Sequence, residues 1–504
     1  MWTIYVDWDG DFDFNAPSEA IWPDVVEASW RLGMRAAYQS VADENTCTLT
    51  LRNTDGKYNP ENTASPLYGQ LVPQRLVKIS ATVDGQEVPL WRGWIDSIEP
   101  EWQRAGAQTG ETVAKIECIG GKGYLSRHEL NLPLQQNKTA DQIIDLALQR
   151  AALPPAVGGV WILGQSRLGI DTRLAAQSDY ADLDTGLATI GTYGDVRGEG
   201  ETKTAYKVIQ EVTEAERGRF FFARDGKAVF WNRHHLILNS QTLTATLDTS
   251  GALGARPTAI AYHYGDDLVN SVAVTAYPRK TTGSSTLWAL DTALDIGPGS
   301  TLELEAPYTV DGQPAGGANV TPTGAVFSQG SGTVTLDESA ERALLSIANS
   351  GTNTATLSGL ALEGDALTSH NQIVIRAQDD ESIAQYGRRA EMRLNLQALE
   401  DADLARQIAE TELARRSIPV GHIRNFEMTR APDGAYLDWT LGTRVRLAAP
   451  ELGHAAEYFI MGEAHRIGPG LATHTAKYTL EPANANAYWV LGVSQLGIDT
   501  RLGY

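Results

Sequence analysis

Between positions 46 and 51 the chain alternates strictly, with Thr46, Thr48 and Thr50 on one side and Cys47, Leu49 and Leu51 on the other. A period of two with one apolar side predicts a half-buried strand. The runs Val77-Ile79-Ala81 and Val113 to Ile119 repeat the pattern, and Asp55-Gly56 and Asp84-Gly85 are turn signals between such runs. Residues 1–127 therefore carry a β-barrel or sandwich signature. Both cysteines, Cys47 and Cys118, fall on apolar sides, which predicts buried, inert thiols.

From about residue 137 the period becomes helical. Thr139 precedes a run with Ile143, Ile144, Ala147, Leu148 and Ala151 on one stripe, and Pro154-Pro155 stops it. A second helix is predicted over Thr204 to Glu216, with Val208, Ile209 and Val212 as its stripe. Residues 218–231 then read as a hairpin on an Asp225-Gly226 turn. The stretch 128–235 is thus a small α+β unit. Residues 281–370 hold ten acidic residues against one basic, Arg342, in a Gly/Ser/Thr-rich background. Strands at TLELEA and GTVTLDES, and two more within 344–367 around a Ser-Gly turn, predict an inserted acidic β-sandwich. Asp401 caps a helix through Arg416 with Leu404, Ile408 and Leu413 inward, and a strand block over 420–482 follows.

With 504 residues and 42% hydrophobic content, the chain can bury several cores, which excludes wholesale disorder. Its 41 basic residues against 62 acidic give −21, without a basic tract, so it is a poor match to nucleic acid or an anionic membrane. Two cysteines exclude a disulfide framework and a cysteine zinc site. The first residues lack a basic and an apolar leader region, and no apolar run approaches the ~18 residues of a membrane helix. The expectation is a soluble chain made in a cytoplasm, with no membrane segment.

The run Asp7-Trp8-Asp9-Gly10-Asp11-Phe12-Asp13 invites a calcium reading. An EF-hand loop needs Gly at its sixth position and Glu at its twelfth; counted from Asp7 these are Phe12 and Ser18. The run is read instead as a solvated, aromatic-studded hairpin, with a weak Ca²⁺ site at Asp7–Asp13 as the alternative. His234 and His235, taken as strand neighbours, point to opposite faces and so do not share an ion without a bulge. His465 and His474 are placed to pair across a Gly-Pro-Gly turn, with no acidic partner at ligand spacing. No nucleophile elbow, P-loop or zinc-protease helix is present. No catalytic residue, metal or cofactor is nominated.

WILGQSRLGIDTRL at 161–174 returns as WVLGVSQLGIDTRL at 489–502, with eleven of fourteen positions identical. Two copies so far apart do not stack a solenoid. They read as two arms that meet the same kind of surface, with Trp161, Leu163, Asp171 and Arg173 matched by Trp489, Leu491, Asp499 and Arg501.

The stretch 51–100, with Asn53, Asp55-Gly56, Asn59-Pro60, Asn62, Ser65-Pro66, Tyr68-Gly69, Pro73 and Gly93-Trp94-Ile95, resembles the tail-tip baseplate-hub or minor tail proteins of long-tailed bacteriophages. The resemblance continues through 186–195 and 218–235 and resumes at 441–467. Gln74 departs from it, standing where the family more often shows Gly after the proline. The resemblance implies a mainly β chain with α+β parts and two tube-like β-barrel domains, at 1–127 and at 236–280 plus 371–482. Around these lie the α+β unit 128–235, the inserted sandwich 281–370 and a C-terminal docking arm 483–504. It also implies a homotrimer at the virion tail tip, between a distal tail ring protein and a tape-measure protein above and a central fibre or spike below. Phage DNA would pass through without specific binding. The loop 53–69, rich in turn formers and anchored by Tyr58 and Tyr68, is the interface element. Its candidate residues are Asp55, Gly56, Tyr58, Pro60, Asn62, Pro66, Tyr68 and Gly69. The competing readings are a tail-associated hydrolase of the cell wall and a receptor-binding tail protein.

Overall fold

The computed structural model describes residues 2–11, 14–105, 109–130, 132–151, 177–194, 203–239, 242–251, 256–369, 371–429, 435–468 and 473–483. The chain is mainly β. Twelve strands form one large sheet, and these are numbered in chain order. From the first block come β1 (Trp2–Val6), β2 (Val25–Gly33), β3 (Thr46–Arg52), β4 (Leu76–Val83), β5 (Gln86–Ala105) and β6 (Thr109–Ile119). Later in the chain come β7 (Leu243–Asp248), β8 (Ala259–Tyr264), β9 (Gly421–Thr429), β10 (Arg444–Ala449), β11 (His454–Ile467) and β12 (His474–Pro482). The path runs β1-β4-β5-β6-β3-β2-β11-β12-β9-β8, with β10 on β11 and β7 parallel to β10.

The alternation read in β3 is the reason for its placement: Cys47, Leu49 and Leu51 are buried and the threonines half-exposed. Cys47 faces Cys118 across the β3–β6 pairing, and both thiols are free and buried. Burial, then the contact with Cys118, pushes the Cys47 thiol up, so it stays protonated. The inward side chains of both blocks meet in one core, in which Trp30, Leu49 and Ile116 share a cluster with Phe426, Tyr458 and Tyr478.

Two closed barrels are not formed among the described pairings; the sheet is an open path from β1 to β8. The reason lies at β2. One edge of β2 pairs with β3 and the other with β11, in register from Ala28 opposite Ile467 to Gly33 opposite Gly462. The edge that would close the first block is thus taken by the C-terminal block. At the end of this pairing the backbones approach so closely that a β-carbon on Gly462 would lie 2.1 Å from the Met34 carbonyl oxygen. Gly33, at φ +79°, is equally confined.

The region 236–280 plus 371–482 divides between two cores. Strands β7–β12 belong to the large sheet, whereas Ser271–Ala276, Ile373–Gln378 and Glu391–Asn395 form a separate three-stranded sheet. That small sheet shares its core with the α+β unit: Val272 and Val274 pack in one cluster with Ile144, Val208 and Phe230. Helix α1 (Ala140–Arg150) starts at a capping box of Thr139 and Gln142, and α2 (Ala205–Glu216) starts at Thr204, as the caps predicted. Helix α3 (Ala402–Arg416) is capped by Asp401, but its buried face is Ala405, Ile408, Ala409 and Glu412, with Leu404 and Leu413 only partly covered. The predicted hairpin is Arg219–Phe222 paired with Ala228–Trp231, turning through Gly226 at φ +89°.

The insert forms three three-stranded sheets around its own core of Leu287, Ile296, Tyr308, Leu345, Leu357 and Leu362. Three strands, not two, occupy 342–369, because the chain passes from one small sheet to another between Ser358 and Ala361, through Gly359 at φ +71°. The first strand, Arg279–Ala289, pairs with the last, Ala361–Ser369, so the chain leaves where it came in. Its base touches the α+β unit through Leu134, Ala318, Ala340 and Leu367. No helix among the described residues is long and apolar enough to cross a membrane.

Because Arg279 lies opposite Ser369, a two-residue Asn-Gly turn spans the gap left by excising 280–368. The excised chain should stay folded and lose only the transition belonging to the insert's core in calorimetry. Insoluble or unfolded product would refute an independent unit.

Candidate functional site

The loop 53–69 is a spiral of turns with a period of three. The N–H of Gly56 donates to the Asn53 carbonyl, Asn59 to Gly56, Asn62 to Asn59, Ser65 to Asn62 and Tyr68 to Ser65, at 3.0–3.2 Å. Each corner residue therefore closes one turn and opens the next. Pro60 and Pro66 occupy the second position of their turns, where a fixed φ near −65° is favoured. Side chains tie the corners together. Asn53 Nδ2 donates to Asn59 Oδ1 at 2.7 Å, Asn62 Nδ2 to the Gly56 carbonyl at 2.9 Å and Ser65 Oγ to the Lys57 carbonyl at 2.5 Å. A β-carbon on Gly56 would meet Asn62 Nδ2 at 3.0 Å and Asn59 Nδ2 at 3.3 Å.

Of the candidate interface residues, Tyr58 is fully buried and is the anchor. Its hydroxyl donates to Asp24 Oδ2 at 2.6 Å, where Lys57 Nζ also lies at 2.8 Å, and its N–H donates to Asn53 Oδ1 at 2.9 Å. Burial raises the Asp24 carboxyl, but these two partners outweigh it and hold it below its usual range. Tyr68 is 55% exposed, so it anchors nothing within the chain. Asp55, Pro66 and Gly69 are exposed with it, while Gly56, Pro60 and Asn62 are half-buried. Gln74 sits at φ +67°, the left-handed region that favours the glycine of the resembled family. The repeated segments, with Trp161, Leu163, Asp171, Arg173, Trp489, Leu491, Asp499 and Arg501, lie outside the described residues.

Beneath the sheet lies a buried polar joint. Four arginines within 217–233 each meet a buried glutamate on a different element: Arg217 with Glu412, Arg219 with Glu481, Arg224 with Glu463 and Arg233 with Glu216. Arg224 grips Glu463 through both Nε and Nη2 and also donates to the Leu437 and Trp439 carbonyls. Burial pushes Glu412 and Glu463 up, but the arginines dominate and hold both at about 2. From Glu463 the network continues to His465 Nε2 at 3.1 Å, from His465 Nδ1 to His474 Nε2 at 3.1 Å, and from His474 to the Tyr436 hydroxyl. The two imidazoles stack at 5.2 Å, and Trp30 stacks on His465 at 5.1 Å. The expected His465–His474 pairing is present, but an acidic partner is present too. The signal for it in the sequence is Glu463-Ala464-His465, whose two polar side chains, two apart on one strand, share its buried face. Burial, then the second imidazole, lowers His474 to about 3, so both rings stay neutral. His234 lies in the turn before the short helix His235–Asn239 and His235 opens that helix, so neither is on a strand; His235 stacks on Trp231 at 4.3 Å and meets Asp184 at 2.7 Å.

The acidic N-terminal run is not a solvated hairpin. Asp7 and Trp8 are 1% exposed, and residues 7–11 directly follow β1, while Phe12 and Asp13 lie outside the described residues. Carboxylate oxygens of Asp7, Asp9, Asp11 and Glu19 come within 4.8 Å of one another. Burial, with the charges of Asp9, Asp7 and Asp11 added, pushes Glu19 up to about 7. In a second cluster, Asp267 pairs with His422 at 3.0 Å and Asp266 with Arg424, so both carboxylates already have partners. A cavity of about 630 Å³ lies between Ala188–Gly191 and Ala398–Asp401. Its carboxylates are engaged: Glu216 accepts from the Leu187 and Ala188 N–H groups, and Glu400 from Thr192.

No family model and no curated protein matches the sequence. Solved structures do. The chain is similar to the 43 kDa tail protein of prophage MuSo2 from Shewanella oneidensis, at 11% identity and a TM-score of 0.48, over 96% of this chain and 99% of that one. It is similar to a tail protein from Neisseria meningitidis at 10% identity and a TM-score of 0.49, over 95% and 96% of the two chains. It is also similar to a prophage tail protein from Listeria monocytogenes, at 8% identity, a TM-score of 0.39, and 95% and 94% coverage.

Asn53→Ala strips the acceptor from the buried Tyr58 N–H and the donor from Asn59. It should lower unfolding free energy by about 2 kcal/mol, as expected when buried polar groups lose their partners, and should open residues 54–69 to limited proteolysis; an unchanged digest would refute the spiral's dependence on Asn53.

For pH, the sign is set by a base that binds its proton less well in the folded state. Unfolded His474 takes up a proton near 6.5 and folded His474 only near 3, so the unfolded chain holds more protons between these values and stability falls as pH drops through that window. Glu19 and Glu44, both raised to about 7, act in the opposite sense, so the readout is the difference between native protein and His474→Gln. The native protein should lose about 3 kcal/mol more than the variant between pH 7 and pH 4. Parallel melting curves would refute a neutral His474.

Proposed function

We propose that the chain is the tail-tip (baseplate) hub subunit of a bacteriophage tail, a homotrimer that closes the distal end of the tail tube and joins it to a central fibre or spike. The observation that carries this reading is the union of the two stretches bearing the resemblance, 51–100 and 441–467, in one sheet through β2 and β11. A tube-closing ring needs a stiff wall contributed by distant parts of each subunit, and a continuous sheet over a common core supplies it. The spiral 53–69 supports the same reading, because it presents Asp55, Pro66, Tyr68 and Gly69 on an internally bonded frame and so loses little entropy on docking. The distal tail ring and the tape-measure protein are its proposed partners above.

The net charge of −21 fits a channel wall that is neutral to negative, past which DNA moves without the counterion release that holds phosphates to basic surfaces. The insert, with its own core and ten acidic residues to one basic, is assigned to the outside, where like charges on its copies stay apart. The segments 161–174 and 489–502 are assigned as arms that dock in equivalent grooves of the ring.

Mass measurement in solution should give three copies of 54.5 kDa, and imaging a three-fold ring with a central channel. A monomer overturns the proposal. Truncation after Pro482 should lower the temperature at which the trimer dissociates; an unchanged trimer would remove the arms while leaving the hub standing.

A further inference from the structure

We propose that Asp7, Asp9, Asp11 and Glu19 form a calcium site that links the end of β1 to the Pro17–Glu19 helix. Ligand oxygens of all four residues lie within 4.8 Å of one another. Calcium bonds to oxygen at 2.3–2.6 Å, so two ligands on opposite sides of one ion stand about 4.6–5.2 Å apart, and a single ion can touch all four. Alternate residues Asp7, Asp9 and Asp11 converge because Gly10, at φ +82°, turns the backbone between them.

The second observation is Glu19. It is completely buried, its Oε2 accepts the Ala16 N–H at 2.8 Å, and its Oε1 has no hydrogen-bond partner. A buried carboxylate oxygen without a partner costs free energy, and here it belongs to a group of four carboxylates that repel one another. A divalent ion satisfies the oxygen and cancels the repulsion together. Four carboxylates with room for backbone carbonyls and water suit calcium, which takes six to eight oxygens in flexible geometry, better than magnesium, which needs a near-ideal octahedron. Asp7 follows β1 directly, and its N–H donates to the Leu76 carbonyl at 2.9 Å. The ion would therefore tie the Pro17–Glu19 helix to the edge of the large sheet. Trp8, held between the ligands, packs 6.2 Å from the Tyr58 ring, so ordering these ligands also steadies the anchor of the 53–69 spiral.

The test uses the full chain, stripped with a chelator and titrated with CaCl₂, in parallel with the Asp9→Asn/Asp11→Asn double variant. Both substituted residues are exposed, so the variant keeps its fold. The native protein should melt several degrees higher in 5 mM Ca²⁺ than in chelator, and Tb³⁺ should luminesce on tryptophan excitation and be displaced by Ca²⁺. The double variant should bind at least tenfold more weakly and, in chelator, melt no lower than the native protein. No melting shift up to 10 mM Ca²⁺, or an equal shift in the variant, would overturn the site. An equal shift with Mg²⁺ at the same concentration would overturn its assignment to calcium.

Discussion

The pairing of β2 with β11 is the constraint on which the remaining architecture depends. It joins backbones from the two ends of the described chain; across it Arg466 reaches Glu27, 439 positions away. Loop closure over such a distance is paid in entropy before any contact returns it, and contacts this remote slow folding. Two glycines make the junction sterically possible, Gly33 at the end of β2 and Gly462 opposite it, each pressed against a carbonyl of the partner strand. With that seam formed, the inward faces of both blocks become one core, and the β1-to-β8 path follows from local hairpins on either side.

The four arginines of 217–233 have a different task. Each is drawn into a buried ion pair with a glutamate from α2, α3, β11 or β12, so one short segment fixes the orientation of the α+β unit against two neighbouring layers. Buried ion pairs of this kind add little net stability, because desolvation consumes most of the attraction, but a misplaced partner leaves a bare charge in the interior. The joint thus selects one docking angle. The stacked, neutral His465 and His474 extend it under the seam, held between Trp30 on one side and Tyr436 on the other.

Local signals were legible in the sequence where local physics decides the outcome. The Thr/Cys/Leu alternation of β3, the capping residues Thr139, Thr204 and Asp401, and the Asp225-Gly226 turn each led to the observed element. What could not be read was which edges meet. Nothing in 25–33 announces that its second partner is 454–467, so two closed units were expected where the strands share one open sheet. The α3 stripe was incomplete for the same reason: Leu404, Ile408 and Leu413 do pack on the core, but Glu412 looks like a solvent-facing residue until Arg217 is seen beside it. At the candidate loop, the turn formers indicated an ordered segment, but Tyr58 and Tyr68 carry the same side chain with opposite fates, one fully buried and one 55% exposed. Only the position of Asp24, contributed from before β2, separates them. The acidic run was judged against an EF-hand spacing, while Glu19, the residue that completes the cluster, lies past the last position counted.

The spiral at 53–69 also has a quantised length. Since every third residue from Asn53 to Tyr68 serves as both the end of one turn and the start of the next, adding or removing three residues between corners changes the number of turns and preserves the donor–acceptor sequence. Adding one residue instead moves every later corner out of phase, puts Pro66 outside the second position of its turn, and sets Ser65 out of reach of the Lys57 carbonyl it now caps. The segment behaves in this respect like a ratchet with a three-residue tooth, able to lengthen or shorten its outward reach in whole steps while its root on Tyr58 stays fixed.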